Sequence, residues 1–262
     1  MDITFKYSNN FKGLFDALTS FVDNVSIHYD ETSFKIQAMD SGHISMIFVE
    51  LHEDQFTKYN VKKSGLITLT SNSLKSIIRS MRDNDMVSMK MIDKSNIVDF
   101  LLCDGDRTNI YSVRLIDMEF ELLNMMNELE HDYMIVFKKL GIHKILNDIK
   151  NIDGDETIFH TDTDKNFMIE TKNDQVSLKI TPTKEIAKIT TFSEEKKNIS
   201  VKYATKYLLN INKMLGFCGE RIICKIDMNA PLVVELVIKV DDSISNEVST
   251  LKYFLAPKID DQ

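Results

Sequence analysis

Short runs in which apolar and polar residues alternate dominate the chain. Ile3, Phe5 and Tyr7 alternate with polar neighbours, as do Val25, Ile27 and Tyr29, and then Phe34, Ile36 and Ala38. Within "PLVVELVIKV", Leu232, Val234, Leu236, Ile238 and Val240 fall on one face, the period of a half-buried strand. Similar runs occur at 87–92, 97–102, 110–115, 176–180 and 221–228.

Four segments carry helical spacing instead. In 11–25 the stripe is Phe11, Leu14, Phe15, Leu18, Val22 and Val25; in 73–85 it is Leu74, Ile77, Ile78 and Met81. In 141–151 Ile142, Ile145, Leu146 and Ile149 align, and in 204–215 Ala204, Leu208, Ile211 and Leu215 do so. The elements recur in order. A helix follows the first strand of each half, and "KGLFDALTSFVDN" resembles "LGIHKILNDIKNI" when Gly13 is laid on Gly141. This order predicts an internal duplication, with an N-terminal domain over 1–114, a connector over 115–132 and a C-terminal domain over 133–262. The predicted class is α+β.

Composition narrows the class. At 262 residues, 43% apolar and 27% charged, the chain has material for a substantial core and reads as globular. No run approaches the roughly 20 apolar residues of a membrane span, and "MDITFKYSNN" lacks the apolar core of a secretion signal. Cys103, Cys218 and Cys224 are odd in number without metal spacing, so an intracellular, reduced protein that contacts no membrane is expected.

Charge poses the functional question. Asp and Glu outnumber Lys and Arg 40 to 32, a formal charge of −8, yet 73–85 sets Lys75, Arg79 and Arg82 on one helical face. In 141–151 Lys144, Asn147 and Asn151 lie opposite the apolar stripe, and in 204–215 Lys206, Asn210 and Lys213 share the outward face. Lys12 flanks the stripe of the first helix, and none of the four outward faces is expected to centre on an acid. Lysines commonly occupy solvated helix faces, but several such helices in one acidic chain describe a phosphate-facing patch. No aromatic residues interleave, which favours backbone contact with a duplex over base stacking on a single strand.

Further stretches carry a resemblance. "PLVVE" at 231–235 followed by "LKYFLAPKIDD" at 251–261, "IQAMDSGHISMIFVEL" at 36–51 and "ATKYLLNINK" at 204–213 resemble the eukaryotic replicative sliding clamps, the proliferating cell nuclear antigen family, in order along the whole chain. The resemblance implies a DNA-clamp fold of two similar domains, each with two helices packed on antiparallel sheets, and a homotrimeric ring around duplex DNA. Such a ring serves as polymerase processivity factor and docking platform in replication and repair. It implies no catalytic residue, cofactor or metal. The lumen would hold Lys12, Lys75, Arg79, Arg82, Lys138, Lys139, Lys144, Lys206 and Lys213. A groove for short clamp-binding motifs would use Met39, His43 and Ile44 from one loop, Met125, Met126 or Leu129 from a connector longer than usual, and Pro231, Phe254, Ala256, Pro257 and Ile259. Subunits would meet edge to edge through Tyr111 and Val113 of one copy and Val176 and Leu178 of the next. The implied partners are sequence-independent double-stranded DNA, two further copies, a DNA polymerase, a clamp loader and nuclease- or ligase-type proteins, in a nucleus or at a cytoplasmic viral replication site.

Two other readings use the same residues: a clamp relative held on DNA by charge as a monomer or dimer, and an interaction scaffold without DNA contact. Enzyme motifs are scarce. "DTDKNF" at 162–167 begins like a calcium loop, but Phe167 stands where the turn glycine belongs and Asn173 where a bidentate Glu is required.

Overall fold

The computed structural model describes residues 1–52, 55–93, 95–117, 131–164, 166–191, 198–238 and 249–259. The chain divides into two units, Met1–Leu122 with Ile238–Leu251, and Leu123–Val237 with Lys252–Gln262.

The first unit runs β1 (Asp2–Phe5), α1 (Ser8–Thr19), β2 (Asn24–Tyr29), β3 (Phe34–Met39), β4 (Ser45–Leu51), β5 (Phe56–Asn60), β6 (Gly65–Thr70), α2 (Ser71–Ser80), β7 (Met86–Lys90), β8 (Ile97–Cys103) and β9 (Thr108–Arg114). The second begins β10 (Tyr133–Lys138), α3 (Lys139–Ile152), β11 (Glu156–Thr161), β12 (Phe167–Lys172), β13 (Ser177–Ile180), β14 (Ala187–Thr191) and β15 (Ile199–Ala204). It continues with α4 (Thr205–Leu208), α5 (Ile211–Met214), a 3₁₀ turn (Leu215–Phe217), β16 (Cys218–Ile226), β17 (Leu232–Ile238) and β18 (Thr250–Leu255). Strand order repeats as well: β5-β1-β7-β8-β9 in the first unit matches β14-β10-β16-β17-β18, and β4-β3-β2-β6 matches β13-β12-β11-β15. The architecture is α+β, with antiparallel strand pairing in both units.

Each unit closes on its own aromatic core. Phe5, Phe11 and Phe15 stack at centroid separations of 4.8 and 4.4 Å in the first, and Phe159 meets Phe167 at 5.4 Å and Tyr203 at 5.3 Å in the second. Burying such a ring contributes about 1.5–3 kcal/mol. The alternation in β17 holds, since Leu232, Val234, Leu236 and Ile238 are all buried; Val240 lies outside the described residues.

Helix boundaries differ from the sequence expectation for local reasons. The α1 helix starts at Ser8 and stops at Thr19, because Ser20 donates its hydroxyl back to the Ala17 carbonyl at 2.7 Å and Val25 is taken by β2, paired with Leu69. The α2 helix starts where the Thr70 hydroxyl accepts the Ser73 amide at 3.1 Å and ends at Ser80, since Met81 is extended. Beyond it the Asp85 carboxylate accepts the Arg82 amide at 2.7 Å, so "RDND" is a turn held by its own aspartate. The fourth expected helix is two short helices and a 3₁₀ turn. Asn210, Asn212 and Lys213 donate their amides three residues back, to Tyr207, Leu209 and Asn210, which tightens the coil around two weak helix formers.

Gly154 follows the left-handed cap Asp153 (φ 55°), and a Cβ there would sit 2.3 Å from the Lys172 carbonyl oxygen and 2.9 Å from Thr171 Oγ1. Backbone cannot rotate aside as a side chain can. Gly154→Ala is therefore expected to cost about 1–3 kcal/mol, read as a lower denaturant midpoint.

Cys218 and Cys224 are buried, and burial pushes both thiols up to about 12, although Lys139 pulls the first down slightly. A raised thiol pKa leaves little thiolate near neutrality. Cys103 is half-buried, 3.3 Å from the Thr108 hydroxyl. Thiol labelling of the native protein at pH 8 should therefore modify Cys103 alone, with the other two reacting only after unfolding. Among the described residues no helix is long and apolar enough to cross a membrane.

Candidate nucleic-acid interface

In the first unit α1 and α2 lie side by side. Arg79 is exposed and Lys75 half-buried on α2, and among the described residues neither forms an ion pair. Arg79 stands in the last turn, where the helix dipole also favours a cation. Lys75 borders a polar hollow of about 460 Å³ with Thr19, Ser20 and Asn72. Lys12 is less available, because its Nζ donates to the Met81 carbonyl at 3.3 Å and lies 4.0 Å from Asp83. The outward face of α1 carries the exposed Asp16, so the expectation that no helix centres on acid fails there. Arg82 leaves the basic face altogether: it lies beyond the end of α2, and its guanidinium meets Asp104 at 3.1 Å.

In the second unit three polar side chains stitch α3 to α5. His143 Nδ1 is 3.2 Å from Asn212 Oδ1, Asn212 Nδ2 donates to Asn147 Oδ1 at 3.2 Å, and Asn147 Nδ2 stands 3.2 Å from His143 Nε2. Asn147 is thus occupied, while Lys144 beside it is exposed and unpaired among the described residues. Lys206 and Lys213 are exposed on α4 and α5, the former with its Nζ 4.9 Å from the Tyr207 ring. Asn210 does not share their face; it is buried, because the tightened coil turns it inward. Lys139 is anchored through Nζ to the Cys218 carbonyl at 2.8 Å. Lys138 ends β10 on the opposite, outer face of the sheet, apart from the exposed side of α3. Sequence reasoning missed His143 and Asn212; their place on the polar faces of two helices was the available signal.

The loop after β3 is built on one carboxylate. Asp40 is buried, and its Oδ1 accepts the Ile44 amide at 2.9 Å, the Ser45 amide, and the Ser45 hydroxyl at 3.1 Å, while Oδ2 accepts the Gly42 amide at 3.0 Å. Burial pushes this carboxyl up, but the hydrogen bonds together outweigh it and hold Asp40 below the usual carboxylate range. The turn forces His43 to φ 54°, in the left-handed region, leaving its ring exposed with Ile44 half-exposed beside it. Met39, at the end of β3, is half-buried.

In the second unit Phe254 is buried, Ala256 and Pro257 are half-exposed, and Ile259 is 84% exposed. Pro231 is half-buried, its carbonyl 3.3 Å from His131 Nε2. Met125, Met126 and Leu129 lie outside the described residues. The Asp162 carboxylate of the calcium-like stretch closes its own turn, accepting the Asp164 and Asn166 amides at 2.9 and 2.8 Å.

β9 and β13 each end a sheet. On β9 Tyr111 turns toward α2 and donates its hydroxyl to Ser80 Oγ at 2.6 Å; Val113 is half-exposed. The alternate residue Ile110, which the sequence reading passed over, is 62% exposed. On and before β13 Leu178 is half-exposed and Val176 49% exposed.

Residues 1–123 match the family described as proliferating cell nuclear antigen, N-terminal domain. The chain is 24% identical over 260 residues to proliferating cell nuclear antigen 1 of Plasmodium falciparum, covering 95% of this chain and 93% of that protein. It is 25% identical over 257 residues to the proliferating cell nuclear antigen of Dictyostelium discoideum, covering 95% of each. To the probable DNA polymerase sliding clamp of Autographa californica nuclear polyhedrosis virus it is 21% identical over 262 residues, covering 97% of this chain and 95% of the other. The crystal structure of Proliferating Cellular Nuclear Antigen from Entamoeba histolytica shares the fold, with a TM-score of 0.83 at 20% identity over 98% of both chains.

Proposed function

We propose that the chain is a PCNA-type sliding clamp, a scaffold and not an enzyme, and that three copies close head to tail into a ring that encircles duplex DNA and holds a polymerase on it; the match of residues 1–123 to the family's N-terminal domain and the full-length relatives support this reading. The observation that carries this reading is two of the sheet edges, β9 and β13, each with an exposed apolar residue on or just before it. An edge strand with an exposed Ile110 and a second edge beside an exposed Val176 are liabilities in a lone chain. Joined between copies, they complete a sheet, and because the two edges differ the contact is heterologous and generates a ring where the rotation closes.

The helices supply the DNA-facing surface. Arg79, Lys75, Lys144 and Lys206 offer exposed or half-exposed cations and Lys213 is exposed on α5, whereas Lys12 and Lys139 are engaged with backbone carbonyls. Phosphate contacts of this kind carry no sequence information. With a formal charge of −8 per chain, general attraction to DNA is poor, so retention rests on enclosure. Short clamp-binding motifs of polymerase, loader, nuclease or ligase would meet the rigid loop at His43 and Ile44 in the first unit, and the apolar tail at Pro257 and Ile259 in the second. Relatives from eukaryotes and from a virus support a nuclear or replication-site location.

The test is topological. The protein loaded on nicked circular DNA should survive a high-salt wash and depart when the circle is cut. A monomer or dimer held by charge would leave in salt whether or not the DNA is cut, and a scaffold without DNA contact would not be retained.

A further inference from the structure

The outer face of the second unit carries a feature that a ring on DNA does not use. A hollow of about 430 Å³ lies over β14, β10 and β16, floored by Met134 and Val136 and bordered by Lys138, Lys184, Lys188 and Arg221, with Glu185 the one carboxylate at its rim among the described residues. All four cations are exposed, and among the described residues none of them forms an ion pair. Lys138 and Arg221 are directly paired across β10 and β16, and like charges at directly opposed positions of a sheet repel.

The duplicated first unit shows what a neutralised version looks like. There Lys58, paired with Thr4 as Lys188 is paired with Val136, is bound by the carboxylate of Asp2. Two residues before Val136, where that aspartate would stand, the second unit has Met134. The carboxylate has been exchanged for an apolar floor and the cations left open. This face is opposite Tyr133, Ile135 and Phe137, the buried side of β10.

We propose that this hollow docks an acidic, extended segment of a partner protein, its carboxylates on the four cations and one aliphatic side chain on Met134 and Val136. Charge complementarity selects an anion, and the apolar floor selects a peptide over nucleic acid. None of the lining residues is an exposed aromatic on which a base would stack.

A fluorescent peptide of alternating Glu and Leu, its Gln-for-Glu counterpart and a single-stranded oligonucleotide, each titrated by anisotropy, test the proposal. The acidic peptide should bind about tenfold more tightly than the Gln peptide, and the double variant Lys188→Glu, Arg221→Glu should remove that advantage. Lys188→Gln with Arg221→Gln should weaken it less, with unchanged solution mass, which separates a lost site from a lost ring. Arg221→Glu alone should raise the melting midpoint by about 1–3 °C by turning the repulsion with Lys138 into attraction. Equal affinity for the two peptides, peptide binding indifferent to the double variant, or an oligonucleotide that alone loses affinity in the variants would each overturn it.

Discussion

Ile110→Asp combined with Val176→Asp should turn the proposed assembly of three 30.2 kDa chains into monomers, seen as a threefold fall in solution mass. Both side chains are exposed in the isolated chain, so a carboxylate there meets water and leaves each unit folded. At a subunit boundary the same carboxylates would be buried without partners at every joint, and an uncompensated buried charge costs about 3–5 kcal/mol. Ile110 and Val176 discriminate better than Tyr111, whose hydroxyl already serves α2 through Ser80 and whose loss would disturb the monomer as well. Retention on circular DNA should vanish with the mass, while the thermal midpoint of the monomer stays put. A variant that remains trimeric would show that these edges do not join copies.

The second large effect concerns the helices. The triple variant Arg79→Ala, Lys144→Ala, Lys206→Ala removes cations that are exposed and without a carboxylate partner among the described residues, so little internal structure is disturbed. Each cation withdrawn from a phosphate should lower the salt dependence of DNA association by about one unit of slope, and the sequence preference should stay flat. If the proposed ring holds DNA through these side chains, polymerase stimulation at moderate salt should fall by roughly tenfold or more, since three phosphate interactions at about 1 kcal/mol each would be lost from every copy. The solution mass should not change. Removing Lys12 or Arg82 instead should have a smaller effect on DNA, because one is tied to the Met81 carbonyl and the other to Asp104.

The element types were legible where periodicity was clean. The buried faces of β17 and α3, and the repeated order of helices and strands, follow directly from spacing that the burial reproduces. What failed was local competition. The stripe through Val22 and Val25 looked helical, yet the edge of β6 claimed Val25 first. The basic run through Arg82 looked continuous, yet Asp85 closed a turn beneath it. Asn210 fitted a regular helix and was carried inward by a tighter one. Nor does spacing reveal which lysines are already engaged with backbone carbonyls. That depends on what stands across from them, as Cys218 does for Lys139.

The carboxylate at the root of the β3–β4 turn has one more consequence. Three amides and a hydroxyl converge on Asp40, so the backbone from Gly42 to Ser45 is fixed before any ligand arrives. A visitor that lands on His43 therefore takes away little conformational freedom on the protein's side, and the strength of the encounter is left to the visitor's own sequence. A surface so prepared can greet many short motifs in turn and rank them by how well each one fits.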